Sequence, residues 1–236
     1  MRRELLIFVC TLCFVHQAES RAFAQDPAPS PTVTAPAARA TAPGGQVVDG
    51  VAARIEDDII LESEVRELGA FQKLVDGKEK PRDELIRELA DQWVVRGEIE
   101  TAKYPAPSAA DIDRAYSQLA AQFGSPEEFA RRFASVGLTE AAVRRMLEQQ
   151  LYLSRFLDFR FRPAAQIDSK QIEAYYNDQF APQLKAKNES VPPLDDVEDT
   201  IREVLIQQAI SDRSAQWLDD TRSRLKIDVV AHGAKQ

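Results

Sequence analysis

Residues 51–65 read VAARIEDDIILESEV, in which small and branched apolar residues alternate, three acids interrupt them, Ile59, Ile60 and Leu61 resume, and a helical pattern follows. The pattern predicts a β-hairpin with Asp57 and Asp58 at its turn, since Asp tolerates left-handed backbone better than most residues. A two-stranded ribbon is marginally stable alone and needs a further strand or a helix to cover it. A matching strand pattern, KIDVV, comes at residues 226–230, at the opposite end of the chain. The two ends are therefore expected to meet as one small sheet beneath a helical body, and everything between must fold so as to bring the last strand back.

What lies between is helical by its periodicity and its end signals. A first helix is expected over residues 63–77, with Val65, Leu68, Phe71 or Gln72, and Leu74 or Val75 inward and Gly77 as its stop. A second spans residues 82–102, with Leu85, Ile86, Leu89, Trp93 and Val94 inward, and ends before Pro105. Ser108 with Asp111 forms a capping box, while Thr139 supplies a hydroxyl cap alone. Ser125-Pro126-Glu127-Glu128 puts a cap, a first-turn proline and two dipole-favoured acids in order, starting a short helix that stops at Gly137. A longer helix follows over residues 140–161, with Val143, Met146, Leu147, Leu151, Leu153 and Phe156 on its apolar face. Another runs from Ser169 to about Phe180. The last spans residues 194–225, with Val197, Ile201, Val204, Leu205, Ile210 and Trp217 at helical spacing. Phe123, Phe129, Phe133 and Trp217 are expected in the core. The fold class is thus mainly α with a small β-sheet.

The first 24 residues read as a secretory signal peptide. Arg2 and Arg3 precede an apolar run over residues 5–15, and Ala22-Phe23-Ala24 offers a small-x-small cleavage site. The run is shorter than the roughly 20 residues that span a bilayer, which disfavours an uncleaved membrane anchor. Both cysteines, Cys10 and Cys13, fall inside this leader, so a chain cut after Ala24 has no disulfide and depends on packing. Removal of the leader takes away three of the 30 Lys and Arg and two of the 38 Asp and Glu, leaving a formal charge of −9. That charge argues against nucleic acid. Residues 25–46, QDPAPSPTVTAPAARATAPGGQ, hold five prolines and no aromatic residue, and read as a disordered Pro/Ala-rich spacer. Extended, it would reach on the order of 65 Å at about 3.1 Å per residue. The folded domain is expected over residues 47–230, with 231–236 as a tail.

VVDGVAARIEDDIILESEV followed by amphipathic helices resembles the amino-terminal domain of SurA and its relatives, exported foldases that include PrsA and PpiD-like proteins. The closing stretch PPLDDVEDTIREVLIQQAISDRSAQWLDDTRSRLKIDVV resembles the segment that completes that domain. The resemblance implies a helical SurA-N-like chaperone domain in the periplasm, ATP-independent, binding unfolded or extended client polypeptides such as outer-membrane β-barrel precursors. Relatives carry a parvulin isomerase domain between a helix like SKQIEAYYNDQF, residues 169–180, and the closing helix. Here only residues 181–193 separate the two. A parvulin site needs paired histidines, whereas this chain has His16, in the leader, and His232, in the tail. No prolyl isomerase activity is therefore expected. Neither a cofactor nor a metal site is expected, because a cleaved chain has no Cys and no nucleotide-binding glycine loop. Asp195, Asp196, Glu198 and Asp199 sit in the first turns of a helix, where the dipole accounts for them.

Holding unfolded chains requires apolar surface that is accessible but divided by charges. FLDFRFR, residues 156–162, has that texture, and the adjacent Tyr175 and Tyr176 point about 100° apart on a helix. The expected peptide-binding residues are Phe156, Phe159, Phe161, Tyr175, Tyr176 and Phe180. The expected function is a periplasmic holdase with no stable membrane insertion once the leader is removed. The alternative is a dedicated assembly or scaffold subunit recognising one folded partner. Both a monomer and a homo-oligomer are compatible with either reading.

Overall fold

The computed structural model describes residues 49–231, so the expected leader, the spacer, Cys10, Cys13, His16 and His232 lie outside the described residues. Strands β1 (Val51–Ile55) and β2 (Asp58–Leu61) form the hairpin, and β3 (Ile227–Val229) joins it from the far end of the chain. The sheet order is β2-β1-β3, antiparallel throughout, with Ile55 opposite both Asp58 and Ile227. The turn falls one residue earlier than expected, on Glu56 and Asp57, with Glu56 taking the left-handed conformation at φ 49°. Asp58 opens β2 instead because its carboxylate accepts a hydrogen bond from the Trp93 indole (2.8 Å) and so belongs to the body of the domain.

Helix α1 (Glu62–Asp76) follows directly, its Leu61 N–H held by the Glu64 carboxylate (2.8 Å) and its end turned by Gly77 at φ 69°. Helix α2 (Arg82–Ala102) packs beside it. The Arg82 guanidinium pairs with Glu62 and donates to the Ala52 carbonyl (3.3 Å), which ties the start of α2 to β1. Helices α3 (Ala109–Ala120), α4 (Pro126–Ser135) and α5 (Glu140–Phe161) begin at the expected caps, where the hydroxyls of Ser108, Ser125 and Thr139 each accept from a backbone N–H three residues on. Helix α6 (Ser169–Tyr175) runs through a π-turn (Tyr176–Phe180) into α7 (Ala181–Ala186), extending past the expected stop. Pro182 has no N–H to continue the ladder, and the wide turn before it takes up the mismatch, with the Ala181 N–H reaching the Tyr176 carbonyl five residues back. Helix α8 (Leu194–Arg222) closes the fold and stops three residues earlier than expected.

Two apolar clusters share α2 and α5. The first lies under the sheet and includes Ala53, Ile55, Ile60, Leu68, Phe71, Ile86, Leu119, Phe129 and Val143, with Phe123 and Phe133 packed at its margin. The second joins Val94, Val95 and Ile99 of α2 to Phe156 and Leu157 of α5 and Leu218 of α8. Trp93 and Leu225 touch both clusters. A pair of charges ties α8 to α2. Asp91, buried in α2, pairs with Arg222 at the end of α8, and burial pushes its carboxyl up against the opposing pull of that guanidinium. Ser214, buried between Ile210 and Leu218 on the same stripe of α8, has a hydroxyl without a hydrogen-bond partner. No described helix is long and apolar enough to cross a membrane.

A buried ion pair adds little net stability over an apolar substitute, but removing one member leaves the other charge uncompensated. Arg222→Met is therefore expected to cost about 3 kcal/mol, and adding Asp91→Leu should restore most of it. Urea unfolding of the single and double variants checks both statements.

Candidate functional site

The C-terminal end of α2 and the C-terminal half of α5 meet in a ladder of aromatic rings. At the end of α2 the chain turns sharply through Lys103, in the left-handed conformation at φ 51°, and the Tyr104 N–H returns to the Ile99 carbonyl (3.1 Å). That turn lays the Tyr104 ring across α5. It stacks on Tyr152 with centroids 6.3 Å apart, meets Phe156 edge-on at 5.6 Å, and lies tilted over Phe159 at 5.1 Å. Polar bonds hold it there: the Tyr152 hydroxyl donates to the Tyr104 carbonyl (2.6 Å), and the Tyr104 hydroxyl donates to the Arg155 carbonyl (3.3 Å). The linker beyond, with Pro105 and Pro107, delivers the chain to Ser108 and α3.

Asp111 fixes the far side of this linker. Its carboxylate accepts from the Ser108 N–H (3.1 Å) and hydroxyl (2.7 Å), and from the Arg155 guanidinium (2.9 Å). The Arg155 and Ser108 bonds together hold the Asp111 carboxyl well below the usual carboxylate range. The capping box read for α3 is thus also a tether from α3 to α5. On the other flank, Arg162 bonds Asp158 (2.8 Å) and Glu203 of α8 (2.7 Å); these carboxylates hold its proton more tightly than usual, and the same contact lowers the Glu203 carboxyl.

The six residues expected as peptide contacts do not form one surface. Phe156 is buried at 2 % exposure and belongs to the second core, which corrects its reading as a surface contact. Phe159, at 60 %, is the most exposed large apolar residue of the described chain. Phe161 turns away and lies tilted against Trp217 at 5.8 Å, with the Arg160 guanidinium 4.7 Å over the indole and paired to Glu98. Tyr176 and Phe180 stack on each other along the π-turn at 5.9 Å, and the Tyr176 hydroxyl donates to the Pro192 carbonyl (2.7 Å). Tyr175 is half-buried. Tyr104 and Tyr152 are the members of the face that the sequence reading missed. Tyr104 stands outside any helical periodicity, and its one signal was its place between a helix stop and Pro105.

Among the described residues, no three His, Cys, Asp or Glu side chains stand together as a metal ion would require. Asp195 and Asp196 lie in the first turn of α8, and Glu198 pairs with Arg202. No family model matches the chain, and no curated protein matches it.

Asp111 ties its stabilising bonds to its charge. A carboxyl lowered in the folded state contributes stability that is present above its unfolded pKa, about 3.9, and is lost as pH falls through the lower folded value. Asp111→Asn is therefore expected to be less stable than the parent at pH 7, with the gap closing below about pH 4. Urea midpoints of both chains from pH 7 to pH 3 check the sign.

Proposed function

We propose that this chain is an ATP-independent holdase of the periplasm that binds extended segments of unfolded exported polypeptides, outer-membrane β-barrel precursors among them, and has no prolyl isomerase activity. One observation carries the reading: an exposed Phe159 set on a ring ladder, with Tyr104 and Tyr152 half-buried beside it, held by hydrogen bonds rather than by burial alone. An aromatic side chain left in water at the end of a well-packed helix contributes little to folding. It does offer rigid contact area to a partner at low entropic cost. The charges around it, Arg155, Asp158 and Arg160, interrupt the apolar surface, so a client binds weakly and the carriers do not adhere to one another. The resemblance of the hairpin and of the closing helix-strand to SurA-type chaperone domains points the same way. Within this reading Tyr104 and Phe159 are the client contacts, and Tyr152, Arg155 and Asp111 hold them in place.

The test is light scattering of an unfolded outer-membrane protein diluted from urea, with and without the chain. The parent is expected to suppress aggregation, and Phe159→Ser, which removes an exposed ring and leaves the core intact, should weaken client affinity about ten-fold. No protection at several-fold excess would overturn the holdase reading and turn attention to a single folded partner. Undiminished protection by a folded Phe159→Ser chain would remove this face as the binding surface.

A further inference from the structure

Aromatic rings set side by side at a surface are the general means by which proteins grip proline-rich segments, since proline rings stack on them and a polyproline II strand has little entropy left to lose. This chain carries such a segment itself. Pro27, Pro29, Pro31, Pro36 and Pro43 lie between residue 25 and the start of the described structure at Asp49. We propose that the chain's own segment around residues 26–36 lies across the Tyr104–Phe159 face and occupies it until a client displaces it. The proposal rests on the reading of that face as a polypeptide-binding surface and supplies its regulation.

The reach fits. The Asp49 carboxylate accepts from the Ser63 N–H (3.2 Å) at the start of α1, and Arg82 at the start of α2 bonds both Glu62 and Ala52. The described structure therefore begins beside the first turn of α2, while Tyr104 stands just past its other end. A helix of 21 residues spans about 30 Å at 1.5 Å per residue. Covering that distance takes about 10 residues of polyproline II at about 3.1 Å each. Thirteen positions separate Pro36 from Asp49, and Pro27, Pro29 and Pro31 lie farther back still. A segment of that length can bring Pro36 to the rings, and the run Pro-Ala-Pro-Ser-Pro behind it is long enough to lie across them. The segment also suits them as a weak occupant: residues 26–36 hold no aromatic residue, and their one acid, Asp26, is opposite in charge to the exposed Lys103 beside Tyr104. An aromatic-rich client would outcompete it, and an idle carrier would not present a bare ring.

A benzophenone side chain replacing Lys103 in the full chain tests this directly. On illumination, the expected product runs at monomer mass, with the cross-link mapped by mass spectrometry to residues 26–36. A cross-link confined to other residues, a product at dimer mass, or no cross-link overturns the proposal. In parallel, Pro27, Pro29, Pro31 and Pro36 are changed together to Ser, and binding of a fluorescein-labelled peptide of alternating aromatic and polar residues is compared with the parent. Removal of an occupant filling most of the face should tighten binding about five-fold. Equal affinity overturns occlusion while leaving the holdase reading intact. If neither chain binds the peptide, the holdase reading fails, and the cross-link alone still decides whether the segment sits on the rings.

Discussion

The pairing of β1 with β3 is the contact on which the rest of the domain depends. β1 is the middle strand, with β2 on one edge and β3 on the other, and β3 arrives only after the whole helical body has been built. Its three residues contribute few hydrogen bonds, so α8 must position it. That helix is held by the buried Asp91–Arg222 pair at its end and by the Arg162–Glu203 bonds in its first third. Neither pair is a large source of net stability, because desolvation offsets most of the attraction in the buried pair and solvent screens the half-exposed one. The Asp91–Arg222 pair is selective, since a shift of α8 by one turn would strand a buried charge. Polar contacts thus set the register, and apolar burial supplies the driving force.

Helix α2 transmits that arrangement. Its first residue is bonded to β1, its middle donates the Trp93 indole to Asp58 and accepts Arg222 at Asp91, and its end delivers Tyr104 to α5. The sheet, the closing helix and the aromatic face are therefore three stations along one rod. The face inherits rigidity from it: the Tyr104 ring is located by a helix end, two hydroxyl bonds and a linker containing two prolines. Side chains placed on such a scaffold have little conformational entropy left to lose.

Much of this was legible in the sequence, for identifiable reasons. Helix starts at Ser108, Ser125 and Thr139 rest on side chains that satisfy backbone donors locally, so no tertiary knowledge is needed to find them. The stop at Gly77 rests on a left-handed turn that glycine adopts without steric cost. The hairpin turn was misplaced by one residue because the competing preference is tertiary: Asp58 is claimed by Trp93. The π-turn was missed because its cause, Pro182, lies downstream of the residues it distorts. Tyr104 was missed because loops carry no periodicity. Phe156, Phe159 and Phe161 part from one another on geometry that the sequence does contain. At 100° per residue, positions three apart share a helix face and positions two apart point roughly oppositely, so Phe161 had to part from Phe159.

That same geometry separates what packing requires from what it leaves over. Phe156 and Phe159 share a face of α5, yet one is sealed in the core and the other is mostly in water, because α2 ends at Ala102 and only the Tyr104 ring continues above it. Had α2 run a turn further, Phe159 would have been core as well. The left-handed turn at Lys103 ends it, in a conformation that costs a non-glycine residue about 1 kcal/mol or more. A fold selected for stability alone gains nothing from a strained residue that uncovers a phenylalanine. The cost and the exposure are intelligible together if the uncovered ring is what the helix end is for.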